Sequence, residues 1–278
     1  MDVIDLFHVV LTRFNVQLGG INSRAPDEQW LRKRVEVFER VCLPSIASQT
    51  SPPDLWLLFF HHESPAWLVH AIAKWESSCN FLRPVFCGSV DLGLVRQMVR
   101  SYRPGSCDWL LTTRIDNDDG IRTDLFFELR RKLAERREFL NPVHGLIAHN
   151  GKLYRKRDYS SPFISLMEPW EGFETVWKWP HHLIRKRGGG VKQIGLKDAW
   201  VQMIHEDNLA NRVRGVRVSG RSIDASAYSF DVVEQGSGET LADLLIDNSL
   251  GLVKRYTLSG ERWLKVKIWG HCNSKTRK

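Results

Sequence analysis

Between Asp108 and Gly120 the chain reads DWLLTTRIDNDDG, and within a few residues its character changes from apolar to acidic. Trp109, Leu110, Leu111, Thr112 and Thr113 are aromatic, aliphatic and β-branched, as a strand covered on both faces requires. Asp116, Asn117, Asp118, Asp119 and Gly120 follow almost at once. Such a strand carries carboxylates to its own C-terminal end. In an open α/β sheet that edge is where ligands bind, and acids two apart can hold a hard divalent cation while a substrate's phosphates supply further oxygens. Asp116-x-Asp118 is therefore read as a metal and diphosphate site. The competing reading is a solvated turn, because Asp, Asn and Gly favour turns on their own account; the apolar strand before them favours the site. A helix-loop-helix calcium loop does not fit. Counted from Asp116, its glycine would fall on Ile121 and its bidentate Glu on Phe127.

The chain before this stretch alternates strand and helix. LFHVVLTRF (residues 6–14) and LWLLFF (55–60) are short continuous apolar runs, read as buried strands, and 81–87 is a weaker strand carrying Pro84. Leu31, Val35, Phe38 and Cys42 recur at helical spacing after Pro26-Asp27, a helix that Pro44 and the SQTSPPD segment are expected to close. Residues 66–75 and a segment capped by Asp91 are the next two helices. This order predicts a mostly parallel, doubly wound α/β sheet. Beyond the acids, 123–139 reads as a charged amphipathic helix. Asn150-Gly151 signals a hairpin, so antiparallel strands are added there. Residues 163–166 form a further short strand leading into Glu168, 185–190 a basic glycine-rich loop, and 198–205 a short helix. Residues 1–235 are expected to form the catalytic domain. Residues 236–278 form a small C-terminal helical piece, with helices over 240–256 and 261–269 and a basic tail.

With 278 residues the chain can bury a full core. No apolar run reaches the ~20 residues of a spanning helix, and MDVIDLFHVV is unlike a signal peptide, so a cytosolic protein is expected. Cys42, Cys79, Cys87, Cys107 and Cys272 lack CxxC spacing and are read as thiols. A net charge of +8 implies attraction to polyanions, an anionic membrane or phosphate-bearing substrates.

TRFN, WLRKR with the following FE..CLPSI..QT, TTRIDNDDG, PFISLMEP and AWVQMIHEDN together resemble a bacterial rhamnosyltransferase family with the glycosyltransferase A fold, over roughly residues 6–218. The resemblance implies a nucleotide-diphosphate-sugar donor, a divalent metal (Mn²⁺ or Mg²⁺) on the Asp-x-Asp carboxylates, and transfer of a deoxyhexose to the hydroxyl of a glycan or lipid-linked acceptor. It departs at the end of the second strand, where the family has an acidic residue and this chain has His61 and His62. Asp118 is the expected metal ligand. Asp116 ligates the metal or orients ribose. His205 is a further ligand or a helix-terminal cation. Thr12, Arg13 and Asn15 at the first strand end, and Arg114 before the acids, contact base or phosphate or serve the scaffold.

An inverting transfer needs a carboxylate to take the acceptor's proton, and the resemblance places it after the metal motif. Glu168, Glu171 and Asp198 are the candidates. Glu168, at a strand end beside Pro169, ranks above Asp198, which also reads as a helix N-cap. A metal-dependent nucleotidyltransferase or phosphohydrolase is the competing enzyme reading. A nucleic-acid module, suggested by Trp177, Trp179, Arg185, Lys186 and Arg187, leaves the acids unexplained, so no nucleic-acid partner is expected. The basic amphipathic C-terminus either docks on the catalytic domain or lies on the inner face of an anionic membrane.

Overall fold

The computed structural model describes residues 5–16, 27–187, 190–204, 213–232 and 242–249. Its main sheet has seven strands. They are β1 (Leu6–Arg13), β2 (Leu55–His61), β3 (Leu82–Cys87), β4 (Trp109–Arg114), β6 (Glu138–Pro142), β9 (Ser165–Pro169) and β10 (Val191–Ile194), in the order β10-β6-β9-β4-β1-β2-β3. All neighbours are parallel except β9, which runs antiparallel to both β4 and β6. Alternate side chains of the central strands feed two cores. Val10, Trp56, Leu58 and Phe60 face one layer, and Phe7, Val9, Leu11, Leu57 and Phe59 the other. The first layer is covered by α1 (Glu28–Val37), α2 (Leu43–Ala47), α3 (Ala66–Ser78) and α5 (Leu125–Arg130). The second is covered by α4 (Leu92–Ser101) and α6 (His181–Arg187), so the sheet is doubly wound as expected.

A smaller mixed sheet sits beside it, in the order β12-β8-β7-β11-β5. Its strands are β5 (Gly120–Ile121), β7 (His144–His149), β8 (Lys152–Arg157), β11 (Trp200–Met203) and β12 (Val216–Val218). The β7–β8 hairpin turns at Asn150 and Gly151 with φ of 47° and 69°, as the Asn-Gly pair requires. Asp91 caps α4, its Oδ1 accepting from the Leu94 N–H at 2.8 Å.

Four elements differ from the sequence reading, the first being 185–187, which were expected in a loop and instead close the helix α6. The first helical run ends against the SQTSPPD segment, after Ala47, but Pro44 takes no part in ending it. The backbone widens to a π-helical turn over Phe38–Cys42 and restarts as α2, with Pro44 in the first turn, where its missing N–H costs little. The charged helix expected over 123–139 shrinks to α5, because Glu138 and Phe139 are drawn into β6 between β10 and β9. Residues 198–205 contain the strand β11 rather than a helix; Trp200 and Val201 pair with both β7 and β5, and tertiary pairing overrides local pattern.

At the C-terminus, 242–249 are helical, and the remainder of the expected helices lies outside the described residues. That helix is tied to the small sheet. Asp247 is ion-paired to Arg217 and to Lys152 (3.1 Å), and Asn248 accepts from the Arg217 N–H at 2.8 Å. Among the described residues no helix is long and apolar enough to cross a membrane. Cys42, Cys79 and Cys107 are buried free thiols and Cys87 is a half-buried one; Cys272 lies outside the described residues.

Candidate active site

Parallel pairing brings the ends of β1, β2 and β4 to one edge of the main sheet, with Leu11 opposite Arg114 and Arg13 opposite Phe59. The acids follow β4 in a tight turn in which the Asp119 N–H bonds the Asp116 carbonyl at 3.2 Å. Gly120 then enters the small sheet. A Cβ there would stand 2.3 Å from the Phe230 ring and 2.9 Å from Val41, so only glycine lets the turn pack this closely.

The four residues of the turn differ sharply in surroundings. Asp116 is 42% exposed at its side chain and lies 4.0 Å from the Arg114 guanidinium. Asn117 is buried, its amide donating to the Phe14 carbonyl at 2.9 Å while its oxygen accepts from Arg34 at 3.2 Å. Asp118 is buried and ion-paired to the same Arg34, which reaches in from α1 and stacks on Trp30. Asp119 is more deeply buried and accepts the Met203 N–H at 3.0 Å, locking the turn to β11. Burial holds the carboxyls of both Asp118 and Asp119 above the usual range. Arg34 opposes the shift at Asp118, and repulsion among the acids reinforces it. Burial also lowers Arg13, against the pull of Asp116. His181 is depressed to about 4, first by burial and then by Arg114.

These donors suit a hard divalent cation. They are all oxygen, one carboxylate is open to solvent, and the crowded acids behind it are destabilised in a way that a bound cation would relieve. Arg13 and Arg114 flank Asp116 with positive charge, and the Arg114 Nε is buried without a hydrogen-bond partner among the described residues.

The other expected site residues divide. Thr12 is fully buried and its hydroxyl accepts from the Trp56 indole at 3.0 Å, so its side chain serves the core. The Asn15 amide accepts from the His61 N–H (2.9 Å) and donates to Ser64 (3.1 Å), tying the ends of β1 and β2 together as a positioning residue. His205 lies outside the described residues. His61, His62 and Glu63 place their ligating atoms within 4.8 Å of one another at the end of β2, and the His61 Nδ1 already accepts from the Glu63 N–H at 3.3 Å.

Glu168 requires a correction. Because β9 is antiparallel, Glu168 pairs with Leu110 near the start of β4 and stands at the opposite edge of the sheet from the acids. There its two oxygens accept the backbone N–H groups of Glu174 (3.1 Å) and Thr175 (2.8 Å), with Arg137 at 3.6 Å. Glu171, in the loop that follows, shares that end of the strand. Asp198 is not a helix cap: it adopts φ 49° before β11, and both its oxygens accept from Arg155, at 2.7 and 2.8 Å. Arg34, Asp119 and His181 were missed by sequence reasoning. Arg34 lies within the WLRKR string, where it reads as part of a solvated helix face.

The sheet and the acidic turn at its carboxyl edge define a doubly wound, mostly parallel α/β domain with a candidate ligand site at that edge. The chain belongs to the family described as "Putative rhamnosyl transferase", which matches residues 21–217. Among solved structures, it is similar to the S. aureus TarS 1-349 fragment in complex with UDP-GlcNAc, at 10% identity and TM-score 0.43, over 74% of this chain and 61% of that one. The T. maritima inositol-1-phosphate CTP transferase aligns at 11% identity and TM-score 0.34, over 72% of this chain and 89% of that one. The chain thus spans about 60% of the TarS fragment. No curated protein matches the sequence.

Proposed function

We propose that the protein is a metal-dependent glycosyltransferase that moves a sugar, rhamnose, from a nucleotide-diphosphate donor to an acceptor hydroxyl. The observation that carries this reading is the solvent-open Asp116 carboxylate at the sheet's carboxyl edge, flanked by Arg13 and Arg114 and backed by buried Asp118. Asp116 and Asp118 would hold Mn²⁺ or Mg²⁺, with His205 as a further ligand. When bound, the cation neutralises charge on the leaving diphosphate. Arg114 and Arg13 add fixed positive charge beside the same oxygens, and this matters most as the glycosidic bond breaks. Arg34 pairs with Asp118 and opposes the rise in its pKa that burial causes. Rhamnose follows the family's description. Glu168 stands at the far edge of the sheet with its oxygens on backbone N–H groups, and Asp198 is engaged by Arg155, so neither is assigned as the general base. Inversion at the anomeric carbon is expected, and the one-bond C1–H1 coupling of the product reads it.

The experiment is a panel of dTDP-, UDP- and GDP-linked sugars incubated with and without manganese. Release of nucleoside diphosphate from a rhamnose donor, abolished by EDTA, is the expected result. Failure of every donor would overturn the reading, and undiminished release in EDTA would remove the metal from it.

A further inference from the structure

A cavity of about 560 Å³ lies toward the sheet edge that carries the acids, of a size that suits a small ligand group. It is lined by Arg155, Arg157, Tyr159 and Ser160 from β8 and the segment after it, by Arg185 of α6, and by Arg214 before β12. Its place follows from topology. Asp158, at the end of β8, is bonded to the Val143 carbonyl (2.7 Å) just past the end of β6, and the Arg114 N–H bonds the Ile164 carbonyl (3.4 Å) just before β9 begins. Residues 158–164 therefore run along the edge that carries the acids. His181 adjoins this segment, its carbonyl accepting from the Ser160 hydroxyl, and its ring feels the charges of both Asp158 and Asp116.

The cavity's charge is unbalanced. Arg155 is paired with Asp198 and Lys156 with Asp158 at 2.8 Å, but Arg157, Arg185 and Arg214 have no carboxylate partner among the described residues. Two of these are held in place without one. The Arg157 and Arg185 guanidiniums lie over the Tyr159 ring, 5.6 and 5.8 Å from its centroid. Stacking orients a guanidinium while leaving its N–H fork open, and that fork matches the oxygens of a phosphate. A donor diphosphate would already be accommodated at Asp116 and Arg114, so this second cationic pocket along the same edge calls for a second anion.

We propose that the cavity binds a phosphate group carried by the acceptor, with Arg157 and Arg185 as its principal contacts and Arg214 adding charge. The acceptor role rests on the glycosyltransfer reading; the anion site does not. The test is calorimetric titration with inorganic pyrophosphate in EDTA, where the acids have no cation through which to hold it. The parent protein should bind it, and R157Q/R185Q should bind about tenfold or more weakly, as expected for losing charged hydrogen bonds worth ~1.4 kcal/mol or more in sum. Both arginines are exposed, so the double variant should fold, and R157K/R185K should recover part of the affinity. D118N should bind pyrophosphate like the parent. Equal affinity of parent and R157Q/R185Q, absence of binding by the parent, or loss in D118N matching that of R157Q/R185Q would each overturn the assignment. None of these outcomes uses turnover, so failure of the glycosyltransfer reading shows separately, in the donor panel.

Discussion

Beside the two ends of β4 stand two buried carboxylates, Glu168 of β9 and Asp118, whose pKa values are raised above the usual range mainly by burial, yet the two are built for different work. At the N-terminal end, Glu168 spends its oxygens on the N–H groups of Glu174 and Thr175, with Arg137 nearby. Those bonds hold Thr175 at φ 72°, a conformation costly for a β-branched residue, and so fix the loop 171–175. At the C-terminal end, Asp118 is paired to a side chain, Arg34, and sits behind an open Asp116 flanked by arginines. Burial and a shifted pKa are common to both. What separates them is whether the oxygens are spent on backbone that cannot leave or face groups that a ligand can rearrange.

The largest expected effect lies at the carboxyl edge. Asp118→Asn keeps shape and removes charge, and should lower metal-dependent turnover by roughly 10²–10⁴, the several kcal/mol a catalytic cation supplies. Full activity of this variant with manganese would end the metal-site reading. At the other end, Glu168→Gln leaves one backbone N–H facing an amide N–H₂, and should cost about 1–3 kcal/mol in denaturant unfolding while turnover stays within a few-fold. Collapsed turnover at unchanged stability would break the contrast between the two ends.

A third effect comes from His181. Its folded pKa of about 4 lies below the ordinary 6.5, so between these values the unfolded chain binds the extra proton, and stability falls as pH drops through that window. The loss should be about 2 kcal/mol between pH 7 and 4.5, and His181→Asn should flatten that part of the slope. An unchanged slope in the variant would refute the assignment. The smallest effect is at Arg34. Arg34→Gln removes a cation that competes with metal for Asp118, and should tighten manganese binding several-fold at pH 8, an effect of about 1 kcal/mol. Weaker binding would show that Arg34 organises Asp118 more than it competes for it.

Much of the scaffold was legible. LFHVVLTR, LWLLFF and WLLTTR are apolar enough to be strands only if both faces are covered, so the central parallel sheet and the acids at its carboxyl edge follow from local pattern. The Asn150-Gly151 hairpin and the Asp91 cap were equally readable, because each is decided within four residues. Glu168 was misplaced for a definable reason. SLMEP reads the same whichever way it runs, and only its pairing antiparallel to β4 puts Glu168 at the far edge. DAWVQMIH was read at helical period, but two flanking strands claim Trp200 and Val201.

The sequence by itself therefore determined which segments must be buried and where the acids fall along the chain, since burial and turn chemistry are properties of short runs of residues. The tertiary structure alone decided which charges meet. Arg34 reaches Asp118 across 84 positions, Asp119 holds Met203 across a similar span, and Arg157 and Arg185 converge on one tyrosine from separate elements. Charge pairing acts through space over a few ångströms, and no local pattern records which distant residue the fold brings that close.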